Sequence, residues 1–158
     1  MSGRTIIIGD LHGMCSEASK LLEMCGARYD DHVIFLGDLV DRGPDSAGCI
    51  ELAMRVEKRQ GKPACIMGNH EQKHIEYDDT EQRTGSVHVN PPTHQATRQQ
   101  LSRAHYNYLR GLPLYLRLPE HNIVCVHAGA YPNRPIEQQT SRHLLHVQML
   151  RPYDKWGN

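Results

Sequence analysis

The chain has 158 residues, which suits one compact domain, and its 18 basic and 18 acidic residues balance, so composition gives no support to nucleic-acid binding. No segment approaches the roughly 20 apolar residues of a membrane span, and MSGRTIIIGD is no apolar signal stretch, so we expect a cytoplasmic protein. The five cysteines form no C-x-x-C pair, which argues against a disulfide framework or a cysteine zinc cluster.

Three short apolar runs mark the first half of the chain: TIIIG at 5–9, HVIFLG at 32–37 and PACIMG at 63–68. Their nearly continuous apolar character predicts strands that are buried on both faces. Segments of helical length separate them, at 16–27 and at 44–61, and the second begins with a Pro-Asp-Ser cap signal. This alternation predicts βαβ units and a mainly parallel sheet.

The second half of the chain has a different pattern. Residues 77–95 are polar and punctuated by Gly and Pro, so we expect a loop that acts as a flexible flap. Residues 96–112 have helical spacing, and the apolar runs at 114–118 and 122–127 predict a hairpin. Periodicity predicts a last helix over 136–151.

Polar clusters follow four of the predicted strands, each beside a glycine: GDLHG, GDLVDRG, GNHE and VHAG. Ligands of open α/β sheets bind at the carboxyl ends of the strands, so we expect these turns to meet at one edge. The clusters supply Asp10, His12, Asp38, Asp41, Arg42, Asn69, His70, Glu71 and His127. Crowded carboxylates repel one another unless cations lie between them, and mixed carboxylate, imidazole and amide ligands suit manganese, iron or zinc. The pattern therefore predicts a metal site.

Each cluster alone is weak evidence for a metal. An Asp-x-His pair at a strand end is more often a polar turn, and an Asn-His pair is more often a loop or a helix cap. Asp-Arg-Gly usually marks a turn with a solvated ion pair. The prediction depends on the combination, because four such clusters in this order seldom arise as unrelated turns.

The ordered set GDLHG, GDLVDRG, GNHE and VHAG resembles the calcineurin-like metallophosphoesterases. Within that family it is most similar to the phosphoprotein phosphatase branch, which includes serine/threonine phosphatases and symmetrical diadenosine tetraphosphatases. The first three motifs, within residues 9–71, carry the resemblance, whereas Ala128 replaces a glycine found in many relatives. The resemblance implies one calcineurin-like phosphoesterase domain over 1–158, with the α/β layered fold in which helices flank a mixed, mainly parallel sheet.

The resemblance also implies two divalent metal ions, with manganese as the first choice and iron, zinc, nickel or cobalt as alternatives. Asp10 and His12 would ligate the first ion, and Asp38 would bridge the two ions. Asn69 and His127 would ligate the second ion.

The remaining motif residues would act on the phosphorylated substrate. Arg42 would hold a phosphate oxygen with its planar guanidinium, and Asn69 would also contact the phosphate. His70 would protonate the leaving oxygen, and Asp41 would orient it and raise its pKa. The resemblance implies that a metal-bound hydroxide is the nucleophile.

Relatives carry two later features for which this sequence has no match. One is a Gly-His pair that supplies another ligand of the second metal, and the other is a second phosphate-binding arginine. We therefore expect the C-terminal strands of the family sheet to be missing, either because the protein is naturally short or because the chain is a piece of a longer one. His143 and His146 stand at i, i+3 and offer a substitute ligand, but ordinary surface histidines are the simpler interpretation.

Three functional hypotheses remain at this point. The first is dinuclear metal-dependent hydrolysis of phosphate esters, with a phosphoprotein or a dinucleoside polyphosphate as substrate. The second is an impaired paralogue that binds metal, phosphate or a partner with little turnover. The third is a set of polar turns that bind no metal. Because His70, Asp41 and Arg42 are all present, the sequence favours the first hypothesis, without deciding the substrate or the oligomeric state.

Overall fold

The computed structural model describes residues 3–147, which fold into an α/β structure. Its strands are β1 (Thr5–Ile8), β2 (His32–Phe35), β3 (Tyr115–Leu118) and β4 (Ile123–Val126). Its helices are α1 (Cys15–Met24), α2 (Ser46–Gln60), α3 (Asn69–Thr84), α4 (Pro92–Gln100), α5 (Arg103–Arg110) and α6 (Ser141–His146). Within this part of the chain, no helix combines the length and the apolar character needed to cross a membrane.

The parallel sheet predicted from the first apolar runs is present but small. β1 and β2 pair in parallel along their whole length. The third run, PACIMG, contributes only a parallel bridge between Cys65 and Phe35. The ladder stops there because the N–H of Met67 donates to the carbonyl of Pro113, at 2.8 Å, instead of to β2. The third strand is therefore shorter than the sequence predicts.

The predicted hairpin is confirmed as β3 and β4, which pair antiparallel around a 3-10 turn at Pro119–His121. Leu118 and Cys125 from the hairpin pack against Ile34 of β2, which is fully buried. Val33 and Phe35 point the other way, into the core formed with α2. β2 is thus buried on both faces, as its continuous apolar sequence predicts.

The prediction of a loop-like flap over 77–95 is wrong for most of these residues. Helix α3 continues to Thr84, and α4 begins at Pro92, so that only 85–91 have no helix. The polar residues at the end of α3 are stabilised by ion pairs rather than by burial of apolar surface. Asp78 lies 2.9 Å from an Arg103 guanidinium nitrogen. Polar composition was therefore a poor guide here, because a helix that makes such pairs needs few apolar residues.

The single helix predicted over 96–112 is instead two helices, α4 and α5, with a break at Leu101. Ser102 caps α5, because its hydroxyl accepts a hydrogen bond from the N–H of His105 at 3.3 Å. The last predicted helix, 136–151, is also shorter, since the structure has a 3-10 turn at Ile136–Gln138 and then α6. Residues 148–151 of that prediction lie outside the described residues.

Asp31 links the start of β1 to the turn before β2. Its buried carboxylate accepts hydrogen bonds from the backbone N–H groups of Arg4, at 2.8 Å, and Arg28, at 2.9 Å, and it pairs with the Arg4 guanidinium at 2.6 Å. This guanidinium holds the pKa of Asp31 well below its usual range. Because the folded pKa is depressed, the stabilisation is complete above the unfolded pKa, about 4, and is lost as the pH falls further.

We expect Asp31→Asn to lower the thermal midpoint at pH 7 and to flatten its dependence on pH below about 4, because the substitution removes the titrating carboxylate. Thermal unfolding followed by circular dichroism from pH 7 to pH 3 measures both effects. Asp30→Asn is the control, since the neighbouring Asp30 side chain is half exposed. Equal midpoints for the two variants would contradict this role of Asp31.

Candidate metal centre

The polar side chains of the four motifs meet at the carboxyl end of the sheet, where the chain makes tight turns. Four of these residues have positive φ: His12 at 44°, Asp38 at 50°, Asp41 at 71° and Arg42 at 67°. Left-handed backbone is uncommon in residues other than glycine, and such strain concentrates at functional sites.

The carboxylate of Asp38 is buried at the middle of the group. Its Oδ2 lies 3.7 Å from Nε2 of His12, and its Oδ1 lies 3.5 Å from Nε2 of His127. These separations are too long for hydrogen bonds. Ligand atoms that share one cation at about 2.1 Å lie about 3 to 4 Å apart, so both pairs fit a metal ion between their atoms. Because the two histidines face different oxygens, Asp38 can bridge two ions.

The two histidines are held in the tautomer that a metal ligand requires. Nδ1 of His12 lies 3.0 Å from the carbonyl of Val40, and Nδ1 of His127 lies 2.7 Å from the carbonyl of Leu36. Since a carbonyl oxygen can only accept, each Nδ1–H is the donor. The lone pair of each Nε2 is then free and points towards Asp38. Such backbone partners orient metal-ligating histidines in general.

Asp10 and Asn69 complete the set of sequence-predicted ligands. The Asn69 Oδ1 lies 2.9 Å from Nε2 of His127, so two acceptor atoms face each other, an arrangement that a shared cation stabilises. Asp10 has one oxygen 3.7 Å from Nε2 of His12 and the other 4.0 Å from Nδ1 of His127. The structure thus brings the five residues together, and the donor set fits two divalent ions.

Glu71 supports the turn that carries Asp38. Its fully buried carboxylate accepts hydrogen bonds from the backbone N–H groups of Asp38, Leu39, Val40 and Gly68, at 2.7 to 3.3 Å. Burial raises the pKa of Glu71 to about 7, and these N–H donors oppose that shift. The sequence analysis gave Glu71 no role, although a Glu at the third position of a helix is a known signal for a bond back to the chain before it.

Gly68 allows the turn after Cys65 to approach the turn after β2. A Cβ at Gly68 would lie 2.3 Å from both the backbone nitrogen and Oδ1 of Asp38. We expect Gly68→Ala to lower the free energy of unfolding by about 1 to 3 kcal/mol, because the added methyl overpacks the turn. Urea denaturation measures this loss. Gly9→Ala is the control, since its Cβ would contact nothing within 4 Å; an equal loss in both would contradict the prediction.

His70 and Asp41 form a hydrogen-bonded pair beside Asp38. Nδ1 of His70 donates to Oδ2 of Asp41 at 2.7 Å, and Nε2 lies 3.9 Å from Oδ2 of Asp38. The hydrogen bond to Asp41 raises the pKa of His70, although burial opposes it. Burial alone would raise the pKa of Asp41, but the hydrogen bonds from His70 and His74 hold it well below its usual range. The pair therefore directs Nε2 of His70 towards the candidate metal centre.

Two further histidines, His74 and His94, surround Asp41, and the sequence analysis did not identify either. Nε2 of His74 lies 2.8 Å from Oδ1 of Asp41, and Nε2 of His94 lies 3.2 Å from Oδ2. Burial lowers the pKa of His94. His74 stands four residues after His70 on α3, a spacing that the sequence displays. His94 lies on α4, inside the segment for which the sequence predicts a flap, so no local signal identifies it.

Comparison with known proteins shows to which family the chain with this site belongs. The profile of the calcineurin-like phosphoesterases matches residues 3–157. The chain belongs to the calcineurin-like phosphoesterase family. A symmetrical bis(5'-nucleosyl)-tetraphosphatase from Psychromonas ingrahamii is 32% identical over 140 residues, which cover 85% of this chain and 47% of that protein. Serine/threonine-protein phosphatase 1 from Salmonella typhimurium is 38% identical over 81 residues, 49% of this chain and 34% of that one.

A solved structure also resembles this calcineurin-like chain. The crystal structure of a candidate diadenosine tetraphosphatase superposes with a TM-score of 0.70 at 32% identity, and the match covers 89% of this chain and 56% of that one. The chain spans about half the length of the curated relatives it matches, 47% for the Psychromonas protein and 45% for a relative from Glaesserella parasuis. The α/β fold expected from the resemblance is confirmed.

Arg42 directly follows Asp41 in the turn after β2 of this calcineurin-like chain. It is exposed, and within residues 3–147 its guanidinium makes no hydrogen bond or ion pair. The two late histidines lie elsewhere. His143 packs against Tyr131, with ring centroids 4.7 Å apart, and its Nδ1 accepts a hydrogen bond from the N–H of Thr140 at 3.3 Å. His146 is exposed, and in the described part of the chain neither histidine joins the groups around Asp38.

Proposed function

We propose that this calcineurin-like chain hydrolyses phosphate esters at a dinuclear metal centre bridged by Asp38. The observation that carries the proposal is the position of Asp38, whose two oxygens face His12 and His127 separately. The relatives are named as a tetraphosphatase and a protein phosphatase, which supports hydrolysis over the hypothesis of an impaired paralogue. They also support a substrate that is either a dinucleoside polyphosphate or a phosphoprotein.

Five residues would hold the two ions: Asp10, His12, Asp38, Asn69 and His127. Manganese suits this oxygen-rich and imidazole-containing set, and iron, zinc, nickel or cobalt are the alternatives. When bound, the two cations offset the charge of the phosphate and lower the pKa of water at the site. Glu71 contributes by fixing the turn on which Asp38 stands.

His70 would be the general acid. Asp41 accepts its Nδ1–H at 2.7 Å, which leaves Nε2–H facing the centre. Because the hydrogen bond to Asp41 raises its pKa, His70 keeps more of the protonated form near neutral pH than an ordinary histidine would. The proton on Nε2 would pass to the leaving oxygen as the phosphorus–oxygen bond breaks. Asp41 fixes the orientation of the ring during this transfer.

Arg42 and Asn69 would bind the phosphate. The exposed guanidinium of Arg42 has no competing carboxylate among residues 3–147, so it is available to a phosphate through two parallel hydrogen bonds. The amide of Asn69 stands beside His127 and can donate to a phosphate oxygen while its carbonyl oxygen faces the metal side.

A comparison of two leaving groups tests the assignment of His70 as the general acid. We expect His70→Asn to lower kcat for phenyl phosphate by about 10²- to 10⁴-fold in the presence of Mn²⁺. The loss for p-nitrophenyl phosphate should be much smaller, because that leaving oxygen departs without a proton. Steady-state kinetics on both esters measures the difference. His88→Asn, on an exposed histidine, is the matched control.

The outcomes separate the two parts of the proposal. Equal losses on both esters would contradict the acid role of His70. Absence of any Mn²⁺-dependent hydrolysis by the unaltered chain would contradict the proposed function itself. Diadenosine tetraphosphate and a phosphoserine peptide, compared by kcat/KM, then decide between the two substrate classes.

A further inference from the structure

A second group of metal-binding side chains lies behind His70, formed by Asp41, His74 and His94. We call it the Asp41 cluster. The side chains of Asp41, His74 and His94 are 1%, 0% and 12% exposed. One donor atom from each lies within 4.8 Å of the other two. None of the three is a ligand of the centre proposed above, so the cluster is a separate group.

The hydrogen bonds of Tyr77 define the tautomer of His94. The Tyr77 hydroxyl lies 2.8 Å from the carbonyl oxygen of Asn90, which can only accept, so the hydroxyl donates its single proton there. The same hydroxyl oxygen lies 3.3 Å from Nδ1 of His94 and therefore accepts from Nδ1–H. A neutral imidazole protonated at Nδ1 has a free lone pair on Nε2.

That lone pair points at a carboxylate. Nε2 of His94 lies 3.2 Å from Oδ2 of Asp41, so two acceptors face each other in a buried place. Buried acceptors are costly without a cation or a donor between them. At the other oxygen of the same carboxylate, Nε2 of His74 donates a hydrogen bond at 2.8 Å, so an ion bound here would take the place of that proton. With the His74 proton displaced, the cluster offers two imidazole nitrogens and two carboxylate oxygens around one small volume.

We propose that the Asp41 cluster binds one transition-metal ion of the zinc or cobalt type, distinct from the two ions of the phosphoesterase centre. Two histidines and a carboxylate are a frequent set of protein ligands for zinc, with a fourth position left open. Ligand atoms around such an ion lie about 3 to 4 Å apart, so the nitrogen–oxygen separations of the cluster need only a small increase. The second ring nitrogen of His94 already has the partner, Tyr77, that such ligands require.

This site would connect metal availability to the acid of the proposed reaction. Asp41 supplies the acceptor that orients His70, at 2.7 Å, and the bound ion would use the same carboxylate. The ion draws electron density from Asp41 and weakens its hydrogen bond to His70. Excess zinc would therefore slow hydrolysis of esters that need a protonated leaving oxygen.

Cobalt titration tests the site without reference to activity. The protein carries Asp38→Asn, which impairs the phosphoesterase centre, and Co²⁺ binding is followed by visible absorbance and calorimetry. We expect one tight Co²⁺ whose affinity falls by more than about tenfold when His94→Asn is added. His88→Asn, on an exposed histidine before α4, should leave the affinity unchanged. An affinity that His94→Asn does not alter would overturn the proposal and would leave the cluster as a hydrogen-bonded group.

A second variant keeps the test decisive if His94→Asn disturbs folding, which circular dichroism reports. His94→Cys replaces one zinc ligand with another. We expect the Co²⁺ complex of this variant to gain the near-ultraviolet charge-transfer band of a thiolate bound to cobalt. A folded His94→Cys protein that lacks the band would overturn the proposal. Neither readout depends on turnover, so failure here is distinguishable from failure of the proposed phosphoesterase function.

Discussion

Asp38→Asn is expected to lower kcat for p-nitrophenyl phosphate by at least about 10³-fold with Mn²⁺ present, a loss of several kcal/mol of transition-state stabilisation. The reason is geometric, since Asp38 has one oxygen towards Nε2 of His12 and the other towards Nε2 of His127, whereas Asp10 approaches His127 at Nδ1. Asparagine keeps the size of the side chain but replaces one anionic oxygen with an amide nitrogen, which cannot ligate a cation. Steady-state kinetics across a range of Mn²⁺ concentrations measures the effect.

Asp30→Asn is the matched control for this substitution, because the half-exposed Asp30 side chain lies in a surface turn. Circular dichroism and thermal unfolding should show that Asp38→Asn leaves the fold intact. A folded Asp38→Asn protein with the turnover of the unaltered chain would contradict the assignment of Asp38 as the bridge.

Glu71→Ala is expected to lower the free energy of unfolding by about 4 kcal/mol or more, since each buried N–H left without a partner costs about 1 to 3 kcal/mol. Glu71 serves four such groups, on Gly68 and on Asp38, Leu39 and Val40, and its side chain is completely buried. The cavity left by the removed side chain adds to the loss. Urea denaturation measures the change.

Two control variants show whether this loss of stability is specific to Glu71 or follows from any substitution on α3. Glu76→Ala removes a half-exposed carboxylate from the same helix and should change the stability little. Glu71→Gln keeps one oxygen acceptor and should fall between the unaltered protein and Glu71→Ala. A loss in Glu71→Ala no larger than that in Glu76→Ala would contradict the role of Glu71 as the support of the Asp38 turn.

The sequence identified the site better than the elements that surround it. Asp10 and Asp38 are far apart in the chain, yet they follow the paired parallel strands β1 and β2, whose carboxyl ends meet at one edge. His127 reaches the same edge from β4 of the hairpin, where its Nδ1–H donates to the carbonyl of Leu36. This rule requires only strand order and turn position. For that reason the predicted ligands lie together even though the third strand is reduced to one bridge at Cys65.

The errors concern residues whose positions depend on contacts distant in the chain. The polar sequence at the end of α3 predicts a loop, whereas ion pairs such as that of Asp78 with Arg103 stabilise a helix there. His94 reaches Asp41 only because α4 packs beside α3, and a single sequence carries no sign of that contact. Glu71 was visible in its motif, but its role depends on the approach of a second turn that sequence alone does not place.

Electron paramagnetic resonance of the Mn²⁺-loaded protein tests the central claim, that Asp38 bridges two metal ions, most directly. We predict the exchange-coupled signal of a manganese pair in the unaltered chain and its loss in Asp38→Asn, because coupling requires two ions joined by a common ligand. A spectrum that shows only isolated Mn²⁺ ions at saturating metal would contradict the dinuclear centre.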